Sequence, residues 1–144
     1  MNATINLLYP ALPFIAWVCS GALKYLINRL RFGDQAREHI GNGGFPSTHT
    51  SVISSITMLI GFEHGFGTPL FGLAVAITYV VMIDAVGLRR AVGESAKWVN
   101  RLAQESTAVA EQVKLREKQG HTRPEVLGGL ALGTLLAWGA SAVL

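Results

Sequence analysis

Four apolar segments, separated by polar stretches, limit what this chain can fold into more than any other feature. They cover residues 7–26, 52–62, 70–83 and 126–144. As helices, the first and last segments are long enough to cross about 30 Å of hydrocarbon, whereas the middle two need their polar flanks. We therefore begin the second helix at Ser47 and extend the third over 69–86. The pattern predicts an all-α integral membrane helical bundle with about four transmembrane helices.

Composition agrees with one membrane-embedded domain over residues 1–144. Hydrophobic residues make up 50% of the chain, and the mean hydropathy of +0.37 is above that of ordinary soluble proteins. Cys19 is the only cysteine, which excludes an internal disulfide and a cysteine-based metal cluster. The N-terminus lacks the positive region of a cleavable signal peptide, so we expect the first helix to stay in the mature protein.

The 12 lysines and arginines fall on one side of the predicted bundle. If helix directions alternate, the loops near residues 28–44 and 87–124 share a side, and these loops or the helix ends leading into them carry all 12. The opposite side carries Glu63 and His64 and little else. By the positive-inside rule the basic side is cytoplasmic. We expect a bacterial-type inner-membrane protein with both termini outside.

Residues 92–118 form a charged stretch with helical spacing inside the domain. Apolar residues recur there at three-, four- and seven-residue intervals: Val92, Ala96, Val99, Leu102, Val109 and Val113. This spacing predicts an amphipathic helix or helical hairpin on the cytoplasmic face, over the bundle or in the lipid headgroups.

The residues that suit phosphate chemistry all lie on the cytoplasmic side. They are Lys24, Arg31, Ser47, His49, Arg89, Arg90, His121 and Glu125. Fixed cations would bind phosphate oxygens, while one histidine attacks phosphorus and the other protonates the leaving oxygen. Gly43 and Gly44 allow close backbone approach to an anion at the following helix start. Asp84 is a candidate structural partner for Lys24 or an arginine.

In this order the residues resemble the motifs of the type 2 phosphatidic acid phosphatases, and specifically their small divergent branch. That branch is related to acid phosphatases and vanadium-dependent haloperoxidases. The first motif is Lys, six residues, Arg-Pro, which Lys24 and Arg31 match with Phe32 in place of proline. The second motif is Pro-Ser-Gly-His, which residues 46–49 match with Thr48 in place of glycine.

The third motif is Ser-Arg, five residues, His, three residues, Asp. His121 and Glu125 keep the three-residue gap, with glutamate as the acid. Arg89 or Arg90 would supply the arginine, although about 30 residues separate this pair from His121. The resemblance covers residues 24 to about 133. Membrane members of the superfamily usually have about six helices, so the core is either trimmed here or completed by a second subunit.

The resemblance implies a phosphatase that uses no metal and no cofactor. His121 would be the nucleophile, His49 the general acid and Glu125 the carboxylate that orients the nucleophile. The phosphate ligands would be Lys24, Arg31, Ser47 and one or both of Arg89 and Arg90. The implied substrate is a phosphate monoester or diphosphate of a membrane lipid, phosphatidate-, phosphatidylglycerophosphate- or isoprenyl-phosphate-like. Nucleic acid is not an expected partner.

Single residues also have structural explanations. Lys24 suits a topology anchor, and Glu125 with Thr122 forms a capping box. Gly129 and Gly133 have the spacing of close helix contacts, either within the chain or in a homodimer. The alternative function is a non-catalytic membrane protein that binds phospholipid headgroups or scaffolds a complex.

Overall fold

The computed structural model describes residues 7–34, 43–105, 114–117 and 119–143. Within them the chain forms five helices: α1 (Leu8–Phe32), α2 (Thr48–His64), α3 (Pro69–Val86), α4 (Leu88–Glu105) and α5 (Arg123–Ser141). The predicted all-helical fold is confirmed for this part of the chain. The polar loop over 35–42 and the amphipathic stretch over 106–113 lie outside the described residues.

The first helix is longer than its apolar segment. α1 continues past residue 26 to Phe32, because Arg29, Leu30 and Arg31 are good helix formers. Gly33 ends the helix at a φ of 57°, and its N–H donates to the carbonyl of Arg29. A positive φ at this position suits glycine and closes the helix.

The amphipathic helix is shorter than predicted at its C-terminal end. α4 begins at Leu88, directly after the Gly87 turn, and residues 114–117 are not helical. The helical prediction for these four residues was wrong. The side chain of Asn100 explains why, because it bonds both the N–H and the carbonyl of Leu115 at 2.9 Å and so replaces helical partners.

Helices α2 and α5 form the most extensive helix pair of the fold. On α5, Gly129, Gly133 and Ala137 recur every fourth residue and are buried. A Cβ atom at Gly133 would run into the Ser54 hydroxyl and lie 2.6 Å from the carbonyl of Ser51. These glycines therefore bring α5 against α2 within one chain, which is one of the two roles their spacing predicts.

The core is small and polar, whereas the outer surface is apolar. Side chains that are fully inaccessible include Ser20, Ser47, Thr50, Ser51, Ser54 and Ser55. The Ser54 hydroxyl donates to the carbonyl of Thr50 at 2.6 Å, so its burial costs no hydrogen bond. Large apolar side chains point outward instead, among them Phe14, Trp17, Leu73, Val80, Leu135 and Trp138. A soluble domain buries such residues, so this arrangement indicates an outer surface that meets lipid.

Two helical stretches are long and apolar enough to cross a membrane. They are Leu8–Phe32 and Pro69–Gln104, the second of which joins α3 to α4. Among the described helices, α2 and α5 have 17 and 19 residues and do not meet the same combined test of length and hydropathy. Length and composition thus support two of the predicted spans.

Backbone hydrogen bonds bring the ends of three helices together at one end of the bundle. The N–H of Ser47 donates to the carbonyl of Glu125 at 2.8 Å, which joins the starts of α2 and α5. The N–H of His121 donates to the carbonyl of Ala85 at 2.9 Å, which joins the segment before α5 to the end of α3. These bonds bring the candidate site residues of the three helices to the same end of the bundle.

Replacing Gly133 by alanine is expected to destabilise the protein by about 1–3 kcal/mol, because the new methyl group overpacks the α2–α5 contact. The matched control is Gly139→Ala on the same helix, where a Cβ would meet nothing within 4 Å. Both changes raise helix propensity equally. Thermal unfolding in detergent measures the difference, and equal melting temperatures for the two variants would contradict the packing argument.

Candidate active site

Two histidines from distant parts of the sequence face the same cavity. His49 lies in the first turn of α2, and His121 lies just before α5. Their ring centroids are 6.2 Å apart. The cavity has a volume of about 320 Å³, and its other lining residues are Lys24, Gly43, Thr48, Arg89, Arg116, Gln119 and Gly120.

Glu125 fixes the orientation of His121. Its Oε2 atom is 2.9 Å from Nδ1 of His121 and also accepts the N–H of Thr122 at 3.1 Å. The second bond belongs to the capping box that starts α5, so one carboxylate both caps the helix and holds the ring. An ionised Glu125 accepts from Nδ1–H, which assigns the free lone pair of the neutral ring to Nε2.

The surroundings of His121 favour its neutral form. The side chain is 6% exposed, and burial lowers the pKa of His121 below its ordinary value of 6.5. The hydrogen bond from Glu125 raises this pKa, while the charges of Lys24 and Arg89 lower it. The balance leaves an unprotonated ring nitrogen available near neutral pH.

The structure separates the two adjacent arginines. Arg89 lines the histidine cavity; its Nε is 2.9 Å from Oδ2 of Asp84, and its Nη1 is 3.4 Å from Nε2 of His49. Arg90 instead lines a neighbouring cavity, which His121 also lines but His49 does not. Arg89 is thus the member of the pair that shares a cavity with both histidines, with Asp84 holding its guanidinium.

Lys24 reaches the cavity from the buried side of α1. The buried residues of this helix recur every fourth position: Leu12, Ala16, Ser20, Lys24 and Asn28. Lys24 is 9% exposed. Gly44 packs on its stem, since a Cβ there would lie 3.7 Å from the Lys24 Cδ atom. The aliphatic part of the lysine is therefore held in place while its ammonium group lines the cavity.

Gly43 occupies a position that favours glycine for two reasons, its positive φ and a close backbone contact. Its φ is 87°, in the left-handed region, and a Cβ would lie 2.7 Å from the carbonyl oxygen of Gly120. The two segments that carry the histidines therefore touch through backbone atoms.

Two predicted phosphate ligands lie elsewhere. Arg31 is exposed and does not line the cavity, and every residue from 29 to 34 is likewise exposed. It lies about 10 Å beyond Lys24 along the helix axis, where α1 has left the buried face. Ser47 is completely buried, and its Oγ caps α2 by accepting from the N–H of Thr50 at 3.4 Å and its hydroxyl at 3.0 Å.

Sequence reasoning missed Arg116, Gln119 and Thr48 as lining residues. For Arg116 a weak signal exists: four residues separate it from His121, where the third motif has five between arginine and histidine. Strict spacing hid this near match. Thr48 occupies the glycine position of the second motif, whereas Gln119 carries no comparable signal in one sequence.

The side chains around the cavity suit an oxyanion. Lysine and arginine bind phosphate oxygens directly, and arginine does so with two parallel hydrogen bonds. Within the described part of the chain, no three His, Cys, Asp or Glu side chains come together as metal ligands.

Comparison with known proteins gives the same family as the motifs. The model of the divergent PAP2 family matches residues 7–136, and the chain belongs to this family. It is also 34% identical over 107 residues to the uncharacterized membrane protein YuiD of Bacillus subtilis (strain 168), which covers 65% of this chain and 68% of that protein. No solved structure matches the chain. The chain is therefore a membrane protein of the divergent PAP2 family.

We expect opposite effects on His121 from two substitutions. Glu125→Gln should lower the pKa of His121, because it removes a carboxylate that stabilises the protonated ring. Lys24→Met should raise the pKa of His121, because it removes a positive charge that destabilises the protonated ring. In the wild type, more than half of the His121 rings should be neutral at pH 6.5.

Nuclear magnetic resonance titration of the histidine Cε1–H signals in detergent measures these shifts, with His121→Asn to assign the resonance. Shifts in the same direction for both substitutions would contradict the electrostatic description of the site.

Proposed function

We propose that the protein is a lipid phosphate phosphatase acting on a phosphate monoester or diphosphate of a membrane lipid. The observation that carries this proposal is the paired arrangement of His121, oriented by Glu125, and His49 across one cation-lined cavity. Family membership supports the same chemistry, since the family is named for its relation to the PAP2 phosphatases.

In the first step, Nε2 of His121 attacks the phosphorus atom. The phosphorus–oxygen bond to the lipid breaks, and His49 donates a proton to the leaving oxygen, which departs as an alcohol or a lower phosphate. The phosphoryl group stays on His121 as a phosphohistidine. In the second step, His49 takes a proton from water, the water oxygen attacks phosphorus, and inorganic phosphate leaves.

Glu125 and the cations stabilise the charges that develop during the reaction. Phosphorylation makes the His121 ring cationic, and the Glu125 carboxylate stabilises that form. Lys24 and Arg89 bind the phosphate oxygens and reduce their repulsion of the nucleophile. Arg89 donates to Nε2 of His49 in the free site. A bound phosphate would draw this guanidinium away and free Nε2 to carry the proton that the leaving group needs.

The proposed substrates share an ionised headgroup and an apolar tail. The cavity lies where α2 and α5 begin, and an apolar groove of about 550 Å³ lies between the end of α3 and the start of α5. The headgroup would enter the cavity while the tail remains in lipid, which suits phosphatidate-, phosphatidylglycerophosphate- or isoprenyl-phosphate-like molecules. A homodimer stays a prediction.

For topology, we propose four spans in a bacterial-type inner membrane. α2 and α5 pack between the two apolar stretches and against each other, so they would cross the bilayer with them. The basic residues of the site end then face the cytoplasm, and both termini lie outside.

Substitution of either histidine is expected to remove activity to different degrees. His121→Ala should abolish phosphate release from lipid phosphates, since it removes the nucleophile. His49→Ala should lower kcat by about 10²- to 10⁴-fold, the usual contribution of a general acid. A phosphate-release assay over a panel of lipid phosphates in detergent measures both.

His64→Ala is the matched control, because His64 lies at the far end of α2, where its Nε2 bonds the Tyr9 hydroxyl at 2.8 Å. This variant should keep wild-type turnover. Full activity of His121→Ala would overturn the mechanism. Lipid-phosphate binding without release, unaffected by either histidine, would favour the non-catalytic headgroup-binding function.

Topology is tested with single cysteines in a Cys19→Ser background. The Gly67→Cys variant, in the exposed turn between α2 and α3, should react with an impermeant maleimide added outside the cell. The Ser95→Cys variant, on α4, should react only after permeabilisation. The reverse labelling would show that the site faces outward.

A further inference from the structure

Arg116 is a cation of the cavity that lies outside the three motifs. Its side chain is exposed and lines the cavity with Lys24 and Arg89. Within the described residues, its guanidinium group makes no ion pair. An exposed arginine that lines the cavity of the two histidines is available to bind an anion there.

The charge balance of the site shows why a further cation matters. Arg89 is bound to Asp84, and the charge of Lys24 is opposed by Glu125, which sits on His121. These two cations and two carboxylates cancel. A phosphate monoester brings a charge of about −1.5 to −2 at pH 7. Among the cations that line the cavity, Arg116 is thus the one that no described carboxylate opposes.

One side chain of α4 contacts the residues on both sides of Arg116, namely the backbone of Leu115 and the side chain of Glu117. Asn100 is 7% exposed, accepts the N–H of Leu115 and donates to its carbonyl, both at 2.9 Å. The same amide donates to Oε1 of Glu117 at 2.8 Å. We call residues 114–117 the strap. Its position relative to α4 is thus fixed by three hydrogen bonds from one residue.

Two further contacts seat the strap. At Gly93 the strap lies directly on α4, since a Cβ atom there would run into the carbonyl oxygen of Glu117. On the other side, the Gln119 amide donates to the carbonyl of Arg116 at 3.0 Å. The base of the Arg116 side chain is therefore held in place before any ligand arrives, which reduces the entropy lost on binding.

We infer that Arg116 is a phosphate-binding cation of this site and that Asn100 is the positioning residue that holds it over the cavity. This inference rests on the proposed function and replaces Arg31, which the motif spacing assigns, with a residue of the strap. Arg116 would hold oxygens of the phosphate with paired N–H donors while Lys24 and Arg89 bind the others.

The test measures binding of inorganic phosphate to the full-length protein in detergent by calorimetry, beside KM and kcat for a lipid phosphate. Arg116→Ala should raise the phosphate Kd by about 10- to 100-fold, the range expected for a lost charge-assisted hydrogen bond. Arg116→Lys should recover part of the loss. Lys114→Ala, a neighbouring exposed cation on the strap that does not line the cavity, should bind phosphate as the wild type does.

The role of Asn100 is tested by coupling. Asn100→Ala should weaken phosphate binding in the wild-type background but cause no further loss in the Arg116→Ala background. Ser95→Ala on the same helix is the control. If Asn100→Ala does not fold, Asn100→Asp keeps an acceptor for Leu115, loses the amide donors and places a carboxylate against Glu117. Independent losses in the double variant would overturn the positioning role.

The two proposals fail in distinguishable ways. If the wild type binds phosphate but hydrolyses no lipid phosphate, the proposed catalysis is wrong, and the Kd comparison still decides the role of Arg116. If lipid phosphate is hydrolysed and Arg31→Ala weakens phosphate binding more than Arg116→Ala, the function stands and the inference is overturned. Absence of phosphate binding by the wild type overturns the inference about Arg116, and the phosphate-release assay then decides the proposed function by itself.

Discussion

The close approach of α2 and α5 is the contact on which the site depends. Glycines on α5 and small hydroxyl residues on α2 let the two backbones approach within van der Waals distance. Because the helices start at the same end, the N–H of Ser47 reaches the carbonyl of Glu125. That bond brings His49 and His121 together across some 70 residues of sequence. A larger residue at the contact would separate the two histidines as well as the helices.

The same groups serve the fold and the candidate chemistry. Glu125 caps α5 and orients His121, while Asp84 holds Arg89 beside His49. In a membrane protein this sharing limits the number of charges that must be kept from lipid. It also means that a capping residue and a catalytic residue cannot be told apart by sequence pattern, since one side chain can be both.

The sequence predicts the helices well and the loops poorly. The third apolar segment with its flanks predicts α3 with the bounds observed, and the predicted start of α2 at Ser47 is one residue early, at the N-cap. The strap could not be foreseen, because a side-chain amide of α4 determines its path over some 15 residues of sequence separation. Hydrogen bonds between residues so far apart produce no periodic pattern in the sequence.

Motif spacing correctly groups four of the residues that line the cavity, but it also includes Arg31, which does not line it. Lys24, His49, Arg89 and His121 converge on one cavity, as the ordered motifs indicate. Arg31 keeps the motif spacing yet lies on an exposed helix end. A helix advances about 1.5 Å per residue, so seven residues carry Arg31 beyond the part of α1 that is buried. Spacing along a helix therefore constrains which residues share a face, but only packing decides which of them reach the ligand.

The central claim is that His121 carries the phosphoryl group during turnover. Rapid quenching of the protein with a ³²P-labelled lipid phosphate, at alkaline pH where phosphohistidine persists, tests it directly when the labelled peptide is then sequenced. The account predicts an acid-labile label on His121. Phosphate release with no label on the protein, or a label on another residue, would contradict it.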